Sequence, residues 1–268
     1  MFTIDELLQP TSLEEASAML TANPEAVVLG GCGFLKLGSR RIAKAMDLSR
    51  CGLNGIRETE TQIELDAMTT LNDIETNPVL NRLADAVLPK AVGNILGVQF
   101  RRCATIGASV YSKYGFSDIL PALMVLDTEV ELMRAGRMPL AEFIDKPVVR
   151  DILLRVIIHK DNRHAAYQNL RNASADFPLV NAAVSRHHGQ WMIVGGARPG
   201  KATLAAKASQ YASELSTEQM NAAEIAAKAA EELTFGSNNK ASAEYRRSMF
   251  AVLAERALKE VLACKYQR

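Results

Sequence analysis

The run Val28-Leu29-Gly30-Gly31-Cys32-Gly33 sets three glycines at the end of an apolar segment. Glycine lets backbone approach an anion closely and accepts positive φ, so successive N–H groups can point into one concavity that suits a pyrophosphate. The run is not the dinucleotide fingerprint GxGxxG opening a helix, and no GK[ST] follows as in a Walker loop. Taken alone, it reads first as a tight structural turn. A second run of small residues, Thr105-Ile106-Gly107-Ala108-Ser109, offers another backbone nest with two hydroxyls. Asp118 follows it, ahead of an apolar helix that it can simply cap. Two such nests could grip one diphosphate from both sides, but spacing alone does not bring them together.

Other reactive side chains are less suggestive. Cys32, Cys51, Cys103 and Cys264 form no CxxC pair, so neither an iron–sulfur cluster nor a zinc site is expected, and no disulfide framework either. Cys32 alone stands in a notable place, inside the glycine turn. His159 and His164 flank a loop with no carboxylate or cysteine partner nearby in sequence, which argues against a metal site or a nucleophilic triad. His187-His188 falls at the tip of an expected hairpin and reads as solvated. Arg101-Arg102 reads as a solvated or salt-bridged pair, Tyr245-Arg246-Arg247 as facing a partner or solvent, and Trp191 as core. The formal net charge of +1 gives no reason to expect nucleic acid or an anionic membrane. No apolar stretch approaches membrane-spanning length, and the start MFTIDELLQP lacks the basic and apolar runs of a signal peptide. These features together predict a cytoplasmic protein.

The elements that must position these residues follow from periodicity. Ser12 and Glu15 have capping-box spacing ahead of a helix ending at Asn23-Pro24. Ala26-Val27-Val28-Leu29 reads as a strand buried on both faces that runs into the glycine turn, and Ala45 to Leu48 as another. Alternation predicts strands over Gln62 to Ala67 and Thr128 to Met133, the latter entering a hairpin turn at Arg134 to Arg137. Helices are expected from Thr70, over Val79 to Leu96 with breaks at Pro89 and Gly93, and over Ile119 to Leu126 with Pro121 in the first turn. Strands from Asp151 to His159 and Ala166 to Arg171 follow, then a hairpin formed by Leu179 to Ser185 and Trp191 to Val194. The last part turns alanine-rich and helical, ending in an amphipathic helix with Tyr245, Phe250, Leu253, Leu258 and Leu262 on its apolar positions.

Ordered together, these segments resemble the FAD-binding (medium) subunits of molybdenum hydroxylases of the xanthine dehydrogenase and carbon monoxide dehydrogenase type. Val28 to Gly33 is similar to their "AGGTD" or "AGGHS" turn, and Leu65 to Ile74 to "IGAxTTLxDI". Val98-Gln99-Phe100-Arg101-Arg102-Cys103-Ala104-Thr105-Ile106-Gly107-Ala108-Ser109 resembles "xQIRNxATIGGN". Ser117 to Leu123 and Leu126 to Leu132 resemble "SDLLPALLALDAEVEL", and Ser242 to Arg247 resembles "GSAEYRR". The resemblance spans nearly the whole chain in order.

It implies an α+β chain with the PCMH-type FAD-binding fold: two α/β subdomains, 1–55 and 56–172, enclosing FAD, and a C-terminal antiparallel sheet with helices over 173–268. It further implies that Leu29, Gly30, Gly31, Cys32, Gly33 and Phe34, with Thr105, Ile106, Gly107, Ala108 and Ser109, hold the pyrophosphate through backbone N–H groups. Asp118 would hydrogen-bond the cofactor or fix the second turn. No residue of this chain is expected to be catalytic toward the organic substrate and none to bind metal. The [2Fe–2S] clusters and the molybdopterin would reside in partner subunits, with NAD+ or another acceptor taking the electrons. The chain departs from the family pattern at Cys32, Gly33, Ala108, Ser109 and Asn169. Those departures motivate a second reading, a structural subunit of the same assembly with weakened or lost FAD binding. A third is a stand-alone flavin oxidase of the same broad fold with flavin tethered at Cys32, against which stands the expectation that this turn lies at the pyrophosphate and not beside the ring.

Overall fold

The computed structural model describes residues 1–147 and 150–264. The chain opens with β1 (Thr3–Leu8), α1 (Leu13–Ala22), β2 (Val27–Leu29), β3 (Arg41–Asp47), β4 (Ile56–Glu58), β5 (Gln62–Asp66) and α2 (Leu71–Thr76). It continues through α3 (Val87–Gly93), α4 (Val98–Arg101), α5 (Ile106–Tyr111), α6 (Ile119–Met124), β6 (Thr128–Leu132), β7 (Gly136–Pro139), α7 (Leu140–Asp145) and β8 (Leu153–His159). It ends with β9 (His164–Leu170), β10 (Val180–His187), β11 (Gln190–Gly196), β12 (Thr203–Leu204), α8 (Ala206–Glu214), α9 (Ala222–Glu232) and α10 (Ala243–Ala263). These elements pack as two units, one of residues 1–73, 97–112 and 128–158, the other of 74–96, 113–127 and 159–268.

The first unit holds two sheets. In the three-stranded sheet β3 lies between β1 and β2, parallel to both, and buries Ile42, Ala45 and Met46. Helix α1 closes against Met46 and Leu48 through Ala16 and Leu20. Ser12 caps it as expected, accepting from Glu15 N at 3.1 Å. The Glu15 carboxylate reaches one residue further back, taking the N–H and hydroxyl of Thr11 at 2.7 and 2.9 Å. β2 is an edge strand whose Val28 is 36% exposed, not the doubly covered strand its apolar run predicts. A three-residue strand pairs on one side only, so continuous hydrophobicity here serves the packing of Val27 and Leu29. The second sheet runs β4-β5-β8-β6-β7, with β4–β5, β6–β7 and β6–β8 antiparallel.

The second unit is built on the antiparallel sheet β12-β11-β10-β9. α10 packs on β9 and β10, and α8 on β11. Alternation along the strands separates the two faces. Val180, Ala182 and Val184 join Trp191, Phe250, Leu253 and Leu258 in one core, whereas Asn181 and Ser185 bond to Ser117 O and Val125 O around α6. The sheet is thus covered on both faces, which explains the unbroken burial of β10 from Val180 to Ser185. Between β10 and β11 the turn residues His188 and Gly189 both take positive φ, 46° and 82°, as a tight two-residue hairpin requires. Pro89 does not break its helix; it sits in the first turn of α3, where its missing N–H costs nothing. The break comes instead at Ala84, Asp85 and Ala86, three consecutive left-handed residues. Tyr245, expected on the apolar face of the last helix, is 47% exposed. Among the described residues no helix is long and apolar enough to cross a membrane.

Candidate functional site

The two small-residue runs meet within the first unit. Every glycine of the first run is explained by what stands where its Cβ would be. A Cβ on Gly30 would lie 2.3 Å from the Ala108 methyl and 3.0 Å from Thr105 Oγ1. On Gly31 it would lie 1.6 Å from the carbonyl oxygen of Cys103, and on Gly33 2.6 Å from the Phe100 ring. The run Gly30–Gly33 is therefore laid directly on the segment from Phe100 to Ala108. Gly31 and Cys32 both take positive φ, 77° and 57°, so the chain curls through consecutive left-handed residues at this point. Such a conformation favours glycine and costs a Cβ-bearing residue such as Cys32 on the order of 1–2 kcal/mol.

The donors of the two runs differ. Among the described residues, the N–H groups of Gly31, Cys32 and Gly33 give to no protein acceptor. In the second run the four N–H groups from Ile106 to Ser109 are engaged. Ile106 N gives to Thr69 O at 2.9 Å, Gly107 N to Ala67 O at 2.8 Å and Ser109 N to Thr105 O at 3.1 Å. Ala108 N gives to the Thr105 hydroxyl at 3.3 Å. Thr105 to Ser109 is thus no free turn but the capped start of α5, with Thr105 as N-cap. Small residues at positions 107 and 108 suit close packing: a Cβ on Gly107 would lie 2.6 Å from Ala67 O.

A cavity of about 360 Å³ opens beside this junction, bounded by Val28, Gly30, Thr105, Ala108, Tyr111 and Arg150 among others. That volume is at the lower end for small-molecule sites, enough for part of a dinucleotide. Arg150 gives its guanidinium to the carbonyls of Asn23 and Ala26 at 2.5 and 3.3 Å, bracing the loop ahead of β2. Tyr111 accepts from Asp151 N at 3.1 Å, and burial pushes its phenol up. Burial likewise pushes the Cys32 thiol up, against the pull of Lys36, so the thiolate needed for a covalent tether is disfavoured.

Asp118 belongs to the second unit. It stands at the start of α6 but makes no side-chain cap; Ser117 does, accepting from Leu120 N at 3.1 Å. The Asp118 carboxylate is 5% exposed and accepts from Tyr167 Oη and from Arg171, each at 2.5 Å. Asn181 Nδ2 gives to Tyr167 Oη at 3.1 Å. Burial pushes the Asp118 carboxyl up, opposed by Arg171 and Tyr167. Tyr167 is pushed well up by burial and by the adjacent Asp118.

Three expectations drawn from neighbouring residues are corrected. Arg101 is 6% exposed, which removes the solvated alternative for it while Arg102 stays exposed, and Arg246 is 2% exposed, so it is no surface cation. Arg246 gives to Asn238 Oδ1 at 2.7 Å, holding the chain ahead of α10 to that helix. His164, which lacks a partner nearby in sequence, has one in space: its Nδ1 lies 3.0 Å from Asp85 Oδ2. A partner 79 positions away leaves no sequence signal.

Residues 2–160 match the family model described as the FAD binding domain in molybdopterin dehydrogenase, and residues 165–261 that of the CO dehydrogenase flavoprotein C-terminal domain. Among solved structures, carbon monoxide dehydrogenase from Hydrogenophaga pseudoflava superposes with a TM-score of 0.87 at 21% identity, covering 97% of this chain and 98% of that one. Reconstituted CO dehydrogenase from Oligotropha carboxidovorans gives 0.86 at 23% identity, covering 97% and 98%. Quinoline 2-oxidoreductase from Pseudomonas putida 86 gives 0.86 at 20% identity, covering 99% of each chain. Among curated proteins no sequence match is found. At these identities the structures speak for the fold, and the family models, which together cover most of the chain, speak for descent. The chain belongs to the family of FAD-binding domains of molybdopterin dehydrogenases, continued by the C-terminal domain of CO dehydrogenase flavoproteins.

Proposed function

We propose that this chain is the FAD-carrying electron-transfer subunit of a heteromeric molybdenum hydroxylase, and that the turn from Leu29 to Phe34 holds the diphosphate of the cofactor. One observation carries the assignment of the turn. Three consecutive N–H groups, Gly31 to Gly33, have no protein acceptor among the described residues, while those from Ile106 to Ser109 in the adjoining second run are all spent. Buried or half-buried backbone donors are ordinarily paired, so an open row on a left-handed curl fits an anion. The residues present therefore fit the group.

Bound FAD supplies the oxidation–reduction chemistry, and the protein supplies its seat. Gly31, Cys32 and Gly33 bind the diphosphate by N–H donation. Thr105, Gly107 and Ala108 form the floor on which that turn rests, with Ser109 anchored to Thr105 by its hydroxyl at 2.8 Å. Leu29, Ile106 and Phe34 frame the same junction, and Val28, Tyr111 and Arg150 wall the adjoining cavity. Within the second unit, Tyr167 and Arg171 fix the Asp118 carboxylate. We take the segments 1–55, 56–172 and 173–268 as the working domains, with the sheet of the last completed by β9 from the middle segment.

In this reading the iron–sulfur clusters of a partner subunit would supply electrons to the FAD held by this chain, substrate oxidation would belong to a molybdopterin subunit, and NAD+ or another acceptor would take the electrons. Purification of the chain with the two partner subunits, followed by absorbance spectroscopy, tests it. Flavin bands that NADH bleaches under anaerobic conditions are expected for an NAD+-linked complex, and bands bleached only by the substrate-reduced partners for another acceptor. Absence of flavin bands after reconstitution with excess FAD overturns the reading in favour of a structural subunit. Alanine at position 108, where the family pattern has glycine, is the feature that favours that alternative, because its methyl fills the contact with Gly30.

A further inference from the structure

Away from the flavin turn, the second unit brings together three side chains of different ligand chemistry. A carboxylate oxygen of Asp85, a ring nitrogen of His164 and Sγ of Cys264 all lie within 4.8 Å of one another. We propose that Asp85, His164 and Cys264 form a binding site for a divalent cation of the zinc class, with water completing a tetrahedron. The set mixes imidazole, thiolate and carboxylate, the three donor types zinc accepts, and three protein ligands leave one open position. Magnesium or calcium, which take oxygen donors, do not suit it.

The geometry is close to what such an ion needs. Zinc–ligand bonds of about 2.0–2.3 Å place tetrahedral ligands roughly 3.4–3.6 Å apart. The His164–Asp85 separation of 3.0 Å and the overall spread of 4.8 Å bracket that range, so side-chain rotation closes the site. All three residues are half-buried, with room to rotate and access to solvent. Their surroundings behave as an outer shell that orients ligands. Ala165 N gives to Asp85 Oδ2 at 3.1 Å, and Cys264 Sγ lies 3.3 Å from Glu260 O. Glu260 itself is occupied by Lys90 and Gln168, at 2.8 and 2.9 Å, so its charge is already matched.

The backbone supports the assignment. Asp85 is the middle of three consecutive left-handed residues, none of them glycine, with φ of 45°, 56° and 60°. Such conformations persist where the surroundings fix them and gather at functional positions. Here the curl delivers the carboxylate to the first residue of β9. The ion would tie the end of α10 to β9 and to the turn ahead of α3.

Titration of the full chain with Co2+ and then Zn2+ tests the proposal independently of flavin. One equivalent of Co2+ is expected to give a sulfur-to-cobalt charge-transfer band that Zn2+ abolishes, and Zn2+ is expected to raise the thermal midpoint. Cys264→Ser should remove the band, and His164→Gln should weaken Zn2+ binding by more than the roughly 100-fold that outer-shell changes reach. Circular dichroism of both variants confirms the fold. A band that persists in Cys264→Ser, arising from the three remaining cysteines, or no stoichiometric binding in the unaltered chain, overturns the site.

Discussion

Gly30→Ala isolates the contact between the two small-residue runs. Gly30 has an ordinary φ, so space alone decides the outcome. The new methyl would meet the Ala108 methyl at 2.3 Å, against the ~3.5–4.0 Å of a relaxed carbon pair. The runs must then part by more than an ångström, and overpacking of this kind costs about 1–3 kcal/mol. Ala108→Gly removes the obstructing methyl but places glycine in the first turn of α5, at a cost of up to about 1 kcal/mol. In the double variant the remaining neighbours are Thr105 Oγ1 at 3.0 Å and the Cα of residue 108 at 3.2 Å, both relieved by a small shift. The double variant should therefore be more stable than the sum of the single changes predicts, by about 1–2 kcal/mol, well above the ~0.5 kcal/mol scatter of independent sites. Urea unfolding followed by circular dichroism measures all four corners of the cycle. Additive single and double changes would refute the packing of the glycine turn on Thr105–Ala108, and with it the explanation of the glycines.

Other consequences follow from the same geometry. Arg171→Met leaves the Asp118 carboxylate buried without its cation and should cost about 3–5 kcal/mol near neutral pH; much of this should return in Asp118→Asn/Arg171→Met. Because burial already pushes Asp118 up, the deficit of the single variant should shrink as the pH falls and the carboxyl protonates. Glu64 lies between Arg57 and Arg155; burial raises its carboxyl, but the two guanidiniums outweigh that and hold it below its ordinary value. A lowered carboxyl stabilises the fold above the ordinary carboxylate range, and that contribution is lost as pH falls through the folded value. Glu64→Gln should thus lower the unfolding midpoint at neutral pH, and the difference should close only as the pH falls below the ordinary carboxylate range and through the folded value. Alkylation by iodoacetamide, read by peptide mass, should reach the exposed Cys103 before Cys32, whose thiol burial holds up.

Local pattern carried much of this fold. The Ser12 cap, Pro121 in the first turn of α6 and the hairpin at His188-Gly189 were legible because each depends on residues within one turn of the chain. The glycine turn was legible as a position but not as a contact. Nothing in Gly30-Gly31-Cys32-Gly33 reveals that Phe100, Cys103 and Ala108 occupy the space of three missing Cβ atoms. Thr105 to Ser109 reads as a turn because its residues are small; Thr69 O and Ala67 O, distant in sequence, take the first N–H groups of α5 and make it a docked helix start. Asp118 reads as a cap by position, whereas Tyr167 and Arg171 draw its carboxylate into a buried network. Arg246 reads as surface because arginine is seldom buried, and its burial depends on Asn238 and Gly236 closing over it. Long-range partners, in each case, decided what short-range pattern left open.

The account rests on the turn from Leu29 to Phe34 as the seat of FAD, and calorimetric titration of the full chain with FAD, beside Gly31→Ala, tests it most directly. A methyl at Gly31 meets the Cys103 carbonyl at 1.6 Å on a backbone with φ of 77°, so the row of N–H donors must turn away. Loss of one or two charge-assisted hydrogen bonds of about 1.5–3 kcal/mol each predicts affinity lowered at least roughly tenfold. One FAD per chain in the unaltered protein, with that loss in a variant that remains folded, is the expected result. No binding by the unaltered chain, or equal affinity in folded Gly31→Ala, would contradict it.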